Sequence, residues 1–371
     1  MISFRAIRQP SDAAPRVRGA PGGACLVTKL IGIGLLTFLI GFGGEAVAGP
    51  PKRRPFLRGM ALGHYSDIRN KVLQRKLDEL RDLGVSHISL VVSWSMQQVS
   101  STRIGPRLGY VTPDNVLVRI MRAARARGFK VFLFPILDVV ERKMGQWRGT
   151  IRPGDWNVWW RNYSQFILHY AALAKRERAD LFCVGSELVS TERMRGRWTN
   201  LISRVRKIYS GELVYSANWD HYEPVSFWDL VDRVGLTGYY KVAAGKRDSE
   251  RQMLAAWKRI RGKLVRWSRK LGRPFFFTEL GYPSLDGGAE TPWNYTLARK
   301  PDPEEQRRAY SAFVRAWRGV PELGGVVFWD WYGDGGPKCT RYTPRGKPAA
   351  KVIRRWFRSR GPLAGGGDQG P

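Results

Sequence analysis

The sequence predicts a single (β/α)8 barrel of the α/β class, preceded by an N-terminal signal segment. Short apolar, β-rich runs alternate without a break with amphipathic helical runs. The count is eight strands, each followed by a helix, over about 300 residues. The strand runs are almost continuously apolar, as in Val131-Phe132-Leu133-Phe134, which suits a parallel sheet buried on both faces. No Gly-rich nucleotide fingerprint follows the first strand, which argues against a doubly wound sheet.

The strands are expected at residues 57–63, 87–93, 130–135, 180–185, 212–216, 233–239, 274–278 and 324–329. In the first helical stretch Leu73, Leu77, Leu80 and Gly84 fall at helical spacing. Thr112-Pro113-Asp114 opens the second as a capped helix start does, Gly128 closes it, and Gly272 closes the sixth. Pro303-Glu304-Glu305 reads as another helix start, its acids placed at the positive end of the helix dipole. The last helix, near 349–358, leads into a Gly/Pro-rich tail at 359–371, which is expected to be disordered. The barrel therefore occupies 56–358, behind a Pro/Arg-rich linker at 49–55.

The first 48 residues read differently. Arg5, Arg8, Arg16, Arg18 and Lys29 precede an uncharged, largely apolar stretch at 30–44, and Ala46-Val47-Ala48 supplies a small-residue cleavage pattern. That order is a secretory signal peptide and implies a secreted or periplasmic protein. The stretch is shorter than the ~20 residues of a spanning helix, and an uncleaved signal would instead leave a membrane-anchored protein.

Composition bounds the rest. At 371 residues with 43% hydrophobic content, the chain is no disordered or collagen-like polymer. Three cysteines are too few for a disulfide framework, and no bond is expected between Cys183 and Cys339. No Cys/His spacing suggests zinc, and no metal or organic cofactor is implied. Asp286 and Asp334, in Gly-rich loops, read as turn residues. The net charge is +32, and losing residues 1–48 would leave +29. Its arginines are scattered along every expected helix (Arg122, Arg125, Arg127; Arg204, Arg206; Arg259, Arg261; Arg354, Arg355) rather than gathered in one block. This is a solvated basic surface and not a nucleic-acid footprint. It leaves room for electrostatic contact with anionic envelope polymers.

In such a barrel, chemistry belongs to the C-terminal ends of the strands. The polar and aromatic residues there are His64, Trp94, Asp138, Ser186 with Glu187, Asn218 with Trp219 and Asp220, Tyr239, Glu279, and Trp329 with Trp331. Glu187 and Glu279 each follow an apolar run, and a carboxylate so placed costs free energy unless it is paired or used. Two carboxylates facing across a barrel mouth suit glycoside hydrolysis, one as nucleophile and the other as acid and base, provided their surroundings push their pKa values apart. Trp94, Trp219, Trp329 and Trp331 offer flat apolar faces for sugar rings.

Three segments carry a resemblance: Phe182-Cys183-Val184-Gly185-Ser186-Glu187-Leu188, Phe277-Thr278-Glu279-Leu280-Gly281-Tyr282-Pro283-Ser284, and Val327-Phe328-Trp329-Asp330-Trp331-Tyr332. The chain resembles glycoside hydrolase clan A, and within it family 113, the β-mannanase-like branch, over about residues 56 to 358. The resemblance implies Glu187 as acid/base and Glu279 as nucleophile. It also implies Tyr239 as the hydrogen-bond partner of the nucleophile, and Trp329 as the floor of the −1 subsite. The clan's usual Asn before the acid/base is here Ser186. Asn218 or His64 is then expected to supply the missing contact to the sugar 2-hydroxyl.

The expected protein is a secreted, monomeric, retaining enzyme that cleaves a β-1,4-linked polysaccharide or oligosaccharide, with β-mannan favoured. A non-catalytic carbohydrate-binding barrel of the cell envelope is the alternative. A barrel that holds anionic envelope glycans by charge would keep the fold and change the partner.

Overall fold

The computed structural model describes residues 54–359, apart from 64–67, 246–247, 295 and 298. The signal segment, most of the linker, the tail beyond Ser359 and His64 lie outside the described residues.

Eight strands close into one parallel barrel in chain order: β1 (Leu57–Leu62), β2 (His87–Met96), β3 (Lys130–Val139), β4 (Leu181–Ser186), β5 (Glu212–Ala217), β6 (Arg233–Thr237), β7 (Phe275–Leu280) and β8 (Leu323–Trp331). β8 pairs back onto β1, with Leu57 opposite Gly325, so no strand edge is left open. Among the described residues seven α-helices surround it: α1 (Asn70–Asp82), α2 (Asp114–Ala126), α3 (Trp156–Arg176), α4 (Arg195–Arg206), α5 (Glu250–Leu271), α6 (Pro303–Trp317) and α7 (Pro348–Ser359).

The helix ends follow local chemistry. Ser249 and Gln252 form a reciprocal capping box at the start of α5, and Gly272, at φ 69°, closes it in the left-handed conformation. At α6, Asp302 accepts the Glu305 N–H and Pro303 takes the first turn, where a missing N–H costs nothing.

Strand ends differ from the expected ones by a few residues, β2 and β8 running further and β6 ending sooner, and two departures are larger. First, β5 and β6 are joined without an α-helix; the connection carries only a 3₁₀ turn, Trp228–Leu230. This short segment contains Pro224 and buries aromatic side chains instead of an amphipathic stripe: Phe227 stacks on Trp198 of α4 at 4.5 Å. Second, β3 continues past Pro135 to Val139. Its pairing with β4 stops at Leu133, whereas its pairing with β2 runs on to Met96 opposite Val139. Pro135 therefore sits where only one strand edge is engaged.

Two apolar layers hold the fold. Inside the barrel, Phe132, Phe134, Leu181, Cys183, Val214 and Phe276 fill the axis. Between strands and helices lies a larger layer in which Trp159, Trp198, Trp257, Trp317 and Trp356 are fully buried. These five tryptophans are scaffold, and truncating any of them would cost about 3–5 kcal/mol. Cys183 and Cys339 are both free thiols. Among the described residues no helix is long and apolar enough to cross a membrane.

Candidate active site

Glu187 is the first residue after β4. Its backbone is in the left-handed region at φ 56°, unusual for a residue with a side chain, and its N–H donates to the Ser216 carbonyl of β5 at 2.8 Å. The chain thus turns sharply off the strand with the carboxylate held at the barrel's C-terminal end. Arg148, from the loop after β3, donates from Nη1 to Glu187 Oε2 at 2.8 Å and from Nε to the Leu137 carbonyl at 3.0 Å.

Glu279 lies within β7 and is 7% exposed. The Tyr239 hydroxyl, just beyond β6, donates to its Oε2 at 3.0 Å. Gly238 N–H donates to the Glu279 carbonyl at 2.7 Å and fixes where Tyr239 leaves the strand. Burial pushes the Glu279 carboxyl above the usual carboxylate range, and the charge of Glu187 pushes it further; Arg148 and the Tyr239 hydroxyl oppose both. Tyr239 is in turn raised well above its ordinary value by burial and then by Glu279, with Glu187 also acting on it. The two glutamates, Arg148 and Tyr239 therefore share one electrostatic environment.

A buried network supports Glu187 from behind. The Tyr215 hydroxyl donates to Glu192 Oε1 at 2.7 Å and accepts from the Leu188 N–H at 3.2 Å, and His221 Nδ1 lies 2.7 Å from Glu192 Oε2. Glu192 is fully buried. Burial raises its carboxyl, and Glu192 in turn raises His221. This network ties the loop after β4 to the loop after β5.

The other expected site residues divide. Trp329 is part-buried against the axial cluster and belongs to the interior. Gly281 allows this, because a Cβ there would meet the Trp329 carbonyl at 2.4 Å. Ser186 is buried and its hydroxyl has no hydrogen-bond partner among the described residues. Asn218 is buried, with its amide on Asp220. Trp219 stacks near-parallel on Trp293, from the loop after β7, with ring centroids 6.0 Å apart.

Trp94 and Trp331 are corrections. Trp94 stacks on Phe166 of α3 at 5.3 Å and packs against His169 and Tyr170. Trp331 is 4% exposed, and its Nε1 donates to Glu79 of α1 at 2.9 Å. Both rings pack toward the helices and away from the two glutamates' side of the strands.

Arg148, Glu192, His221 and Trp293 escaped sequence reasoning. Arg148 is one basic residue among 63 and carried no distinguishing signal. Glu192, five residues past Glu187, gave only a weak one.

Asp286, Asp302 and Glu305 bring carboxylate oxygens within 4.8 Å of one another. Both Glu305 oxygens already accept backbone N–H groups, from Gly287 and Ala289, and Asp302 caps α6. These acids close the loop between β7 and α6.

A closed parallel barrel with two carboxylates at its C-terminal end, one hydrogen-bonded to a tyrosine and the other to an arginine, defines a glycosidase-type barrel. Comparison with known proteins narrows the class. The model of Glycoside Hydrolase Family 113 matches residues 61–338. The chain belongs to that family and is a glycoside hydrolase, so its substrate is a polysaccharide or oligosaccharide. It is similar to the family 113 β-mannanase of Alicyclobacillus acidocaldarius, at 27% identity over 83% of this chain and 99% of that one, with a TM-score of 0.74. A family 113 β-1,4-mannanase aligns at 25% identity over 82% of this chain and 100% of the other, with a TM-score of 0.73. A β-glucuronidase of Faecalibacterium prausnitzii shares the fold at 12% identity and TM-score 0.56, over 83% of this chain and 49% of its own. No curated protein sequence matches.

Proposed function

We propose that this glycoside hydrolase is a retaining β-mannanase acting on β-1,4-linked chains, with Glu279 as nucleophile and Glu187 as acid/base. The observation that carries the reading is the separate tethering of two carboxylates in one buried environment: Glu279 on Tyr239, Glu187 on Arg148. Burial and the charge of Glu187 raise Glu279, while Arg148 and the Tyr239 hydroxyl oppose the rise, so the two carboxyls act on each other within one site. Two such groups, one ionised and one protonated, are what double displacement requires.

Glu279 Oε2 is held by Tyr239, while Oε1 has no hydrogen-bond partner among the described residues. Oε1 is the oxygen that attacks the anomeric carbon as Glu187 protonates the departing oxygen. Glu187 then takes a proton from the water that releases the sugar. Trp329 floors the reacting sugar, and Trp219 with Trp293 lines an outer subsite. The choice of β-mannan rests on the similar structures, which are β-mannanases.

The test is turnover on a panel of β-mannans, glucans and xylans, with NMR of the first anomeric product. Retention on mannan is expected. Glu279→Gln should abolish turnover without loss of fold. Glu187→Gln should cost about 10²–10⁴-fold, and less with a good leaving group. Unchanged rates in both variants would overturn the reading.

The proposal extends to setting. Residues 1–48 direct export to the periplasm or beyond, and the enzyme works there as a monomer. Its positive charge draws it to anionic envelope polymers, an attraction that should vanish by about 0.5 M salt, where screening acts within several ångströms.

A further inference from the structure

We propose that Arg148 is a positioning residue for turnover: its guanidinium is the fixed counter-charge for a single negative charge that passes between Glu279 and Glu187. The inference rests on the assignment of those two glutamates as nucleophile and acid/base.

Three observations carry it. Arg148 is anchored at two points, the Leu137 carbonyl of β3 at 3.0 Å and Glu187 Oε2 at 2.8 Å, so its charge cannot drift. The ion pair is shielded from solvent, with side-chain exposures of 14% for Arg148 and 12% for Glu187. Arg148 also acts on Glu279, against the combined effect of burial and Glu187. Among the described residues, the groups facing the two carboxylates are Arg148, Tyr239 of the β6 end, Glu192 of the Glu187 loop and Cys183 of β4, with His221 reaching Glu192 from the β5 loop. Of these, Arg148 is the permanent cation.

The charge balance explains why one cation is needed. In the first step Glu279 Oε1 forms a bond to the anomeric carbon and the glycosidic carbon–oxygen bond breaks. Its electron pair leaves on the departing oxygen, which takes the Glu187 proton. Glu279 is now a neutral ester and Glu187 a carboxylate. In the second step water bonds to the anomeric carbon and gives its proton to Glu187, and the ester electron pair returns to Glu279. In the protonation state that reacts, one negative charge is present throughout, first on Glu279 and then on Glu187. A buried carboxylate with no counter-charge is costly in either place. A cation bonded to one carboxylate and within the field of the other keeps the site neutral in both states.

The experiment is the pH dependence of kcat/KM for the full chain on a soluble β-1,4-manno-oligosaccharide, with Arg148→Met and Arg148→Lys. This ratio reports ionisations of the free enzyme. Removing a cation close to both carboxylates makes each harder to ionise. Both limbs of the bell should therefore move up by about one pH unit or more in Arg148→Met. Arg148→Lys, which keeps the charge, should return the limbs toward their original positions even if its rate stays low. Arg148→Gln takes over if the Met variant melts early. Fixed limbs with a lowered rate would show that Arg148 only packs the loop, and would sink the inference while leaving the glutamate assignment intact. A wild-type chain with no turnover on any β-glycan would bring down both.

Discussion

The hydroxyl of Tyr239 donates to Glu279 Oε2 at 3.0 Å, across the gap between the ends of β6 and β7. Among the described residues the second carboxylate oxygen has no hydrogen-bond partner. Tyr239 is itself locked in place, since the preceding glycine's N–H is bonded to the Glu279 main chain.

Tyr239→Phe removes a hydrogen bond to an ionised group and little else. A bond of that kind is worth about 1.5–3 kcal/mol. The expected loss in kcat is therefore on the order of 10- to 100-fold. Because the hydroxyl opposes the upward shift of Glu279, the acid limb of the pH–rate profile should also move to higher pH. A steady-state profile checks both, and an unmoved limb would separate Tyr239 from the nucleophile.

The raised carboxyl of Glu279 has a stability consequence with a definite sign. Its folded pKa lies above its unfolded value, so ionising it is harder in the folded state than in the unfolded one. The wild-type protein should lose stability as pH rises from the ordinary carboxylate value through the raised one. Glu279→Gln cannot ionise and should escape that loss. Thermal melts should show the variant melting higher than wild type by roughly a few °C at pH 9, with a smaller gap at pH 5. A gap that does not change with pH would contradict the burial of an ionising group there.

Trp94 and Trp219 should behave in opposite ways. Trp94 is part-buried and packed on α3, so Trp94→Ala should lower stability, by less than the about 3–5 kcal/mol of a fully buried tryptophan, and leave KM nearly unchanged. Trp219 is part-exposed and stacked on Trp293, so Trp219→Ala should raise KM on long oligosaccharides with a small change in melting temperature. Denaturant unfolding and KM measured on the same preparations distinguish the two.

Much of the molecule could be read from the chain. The alternation of apolar runs with amphipathic stretches determined the barrel, because a parallel strand buried on both faces must be apolar throughout and must be followed by a crossover. The same logic picked out Glu187 and Glu279, each a charge placed directly after such a run. The tertiary structure alone decided which neighbouring side chains turn inward. Trp329 and Trp331 are two residues apart and would share a face on a regular strand. Between Phe328 and Trp331 the pairing with β1 slips, so that three residues of β8 advance against two of β1, Met60 to Leu62. One extra residue reverses the alternation, sending Trp331 to Glu79 of α1 while Trp329 stays inside. Arg148 was hidden for a related reason. Its meeting with Glu187, 39 positions away, is set by how the loop after β3 folds back over the strand ends. No local periodicity encodes a contact that only closure of the barrel brings about.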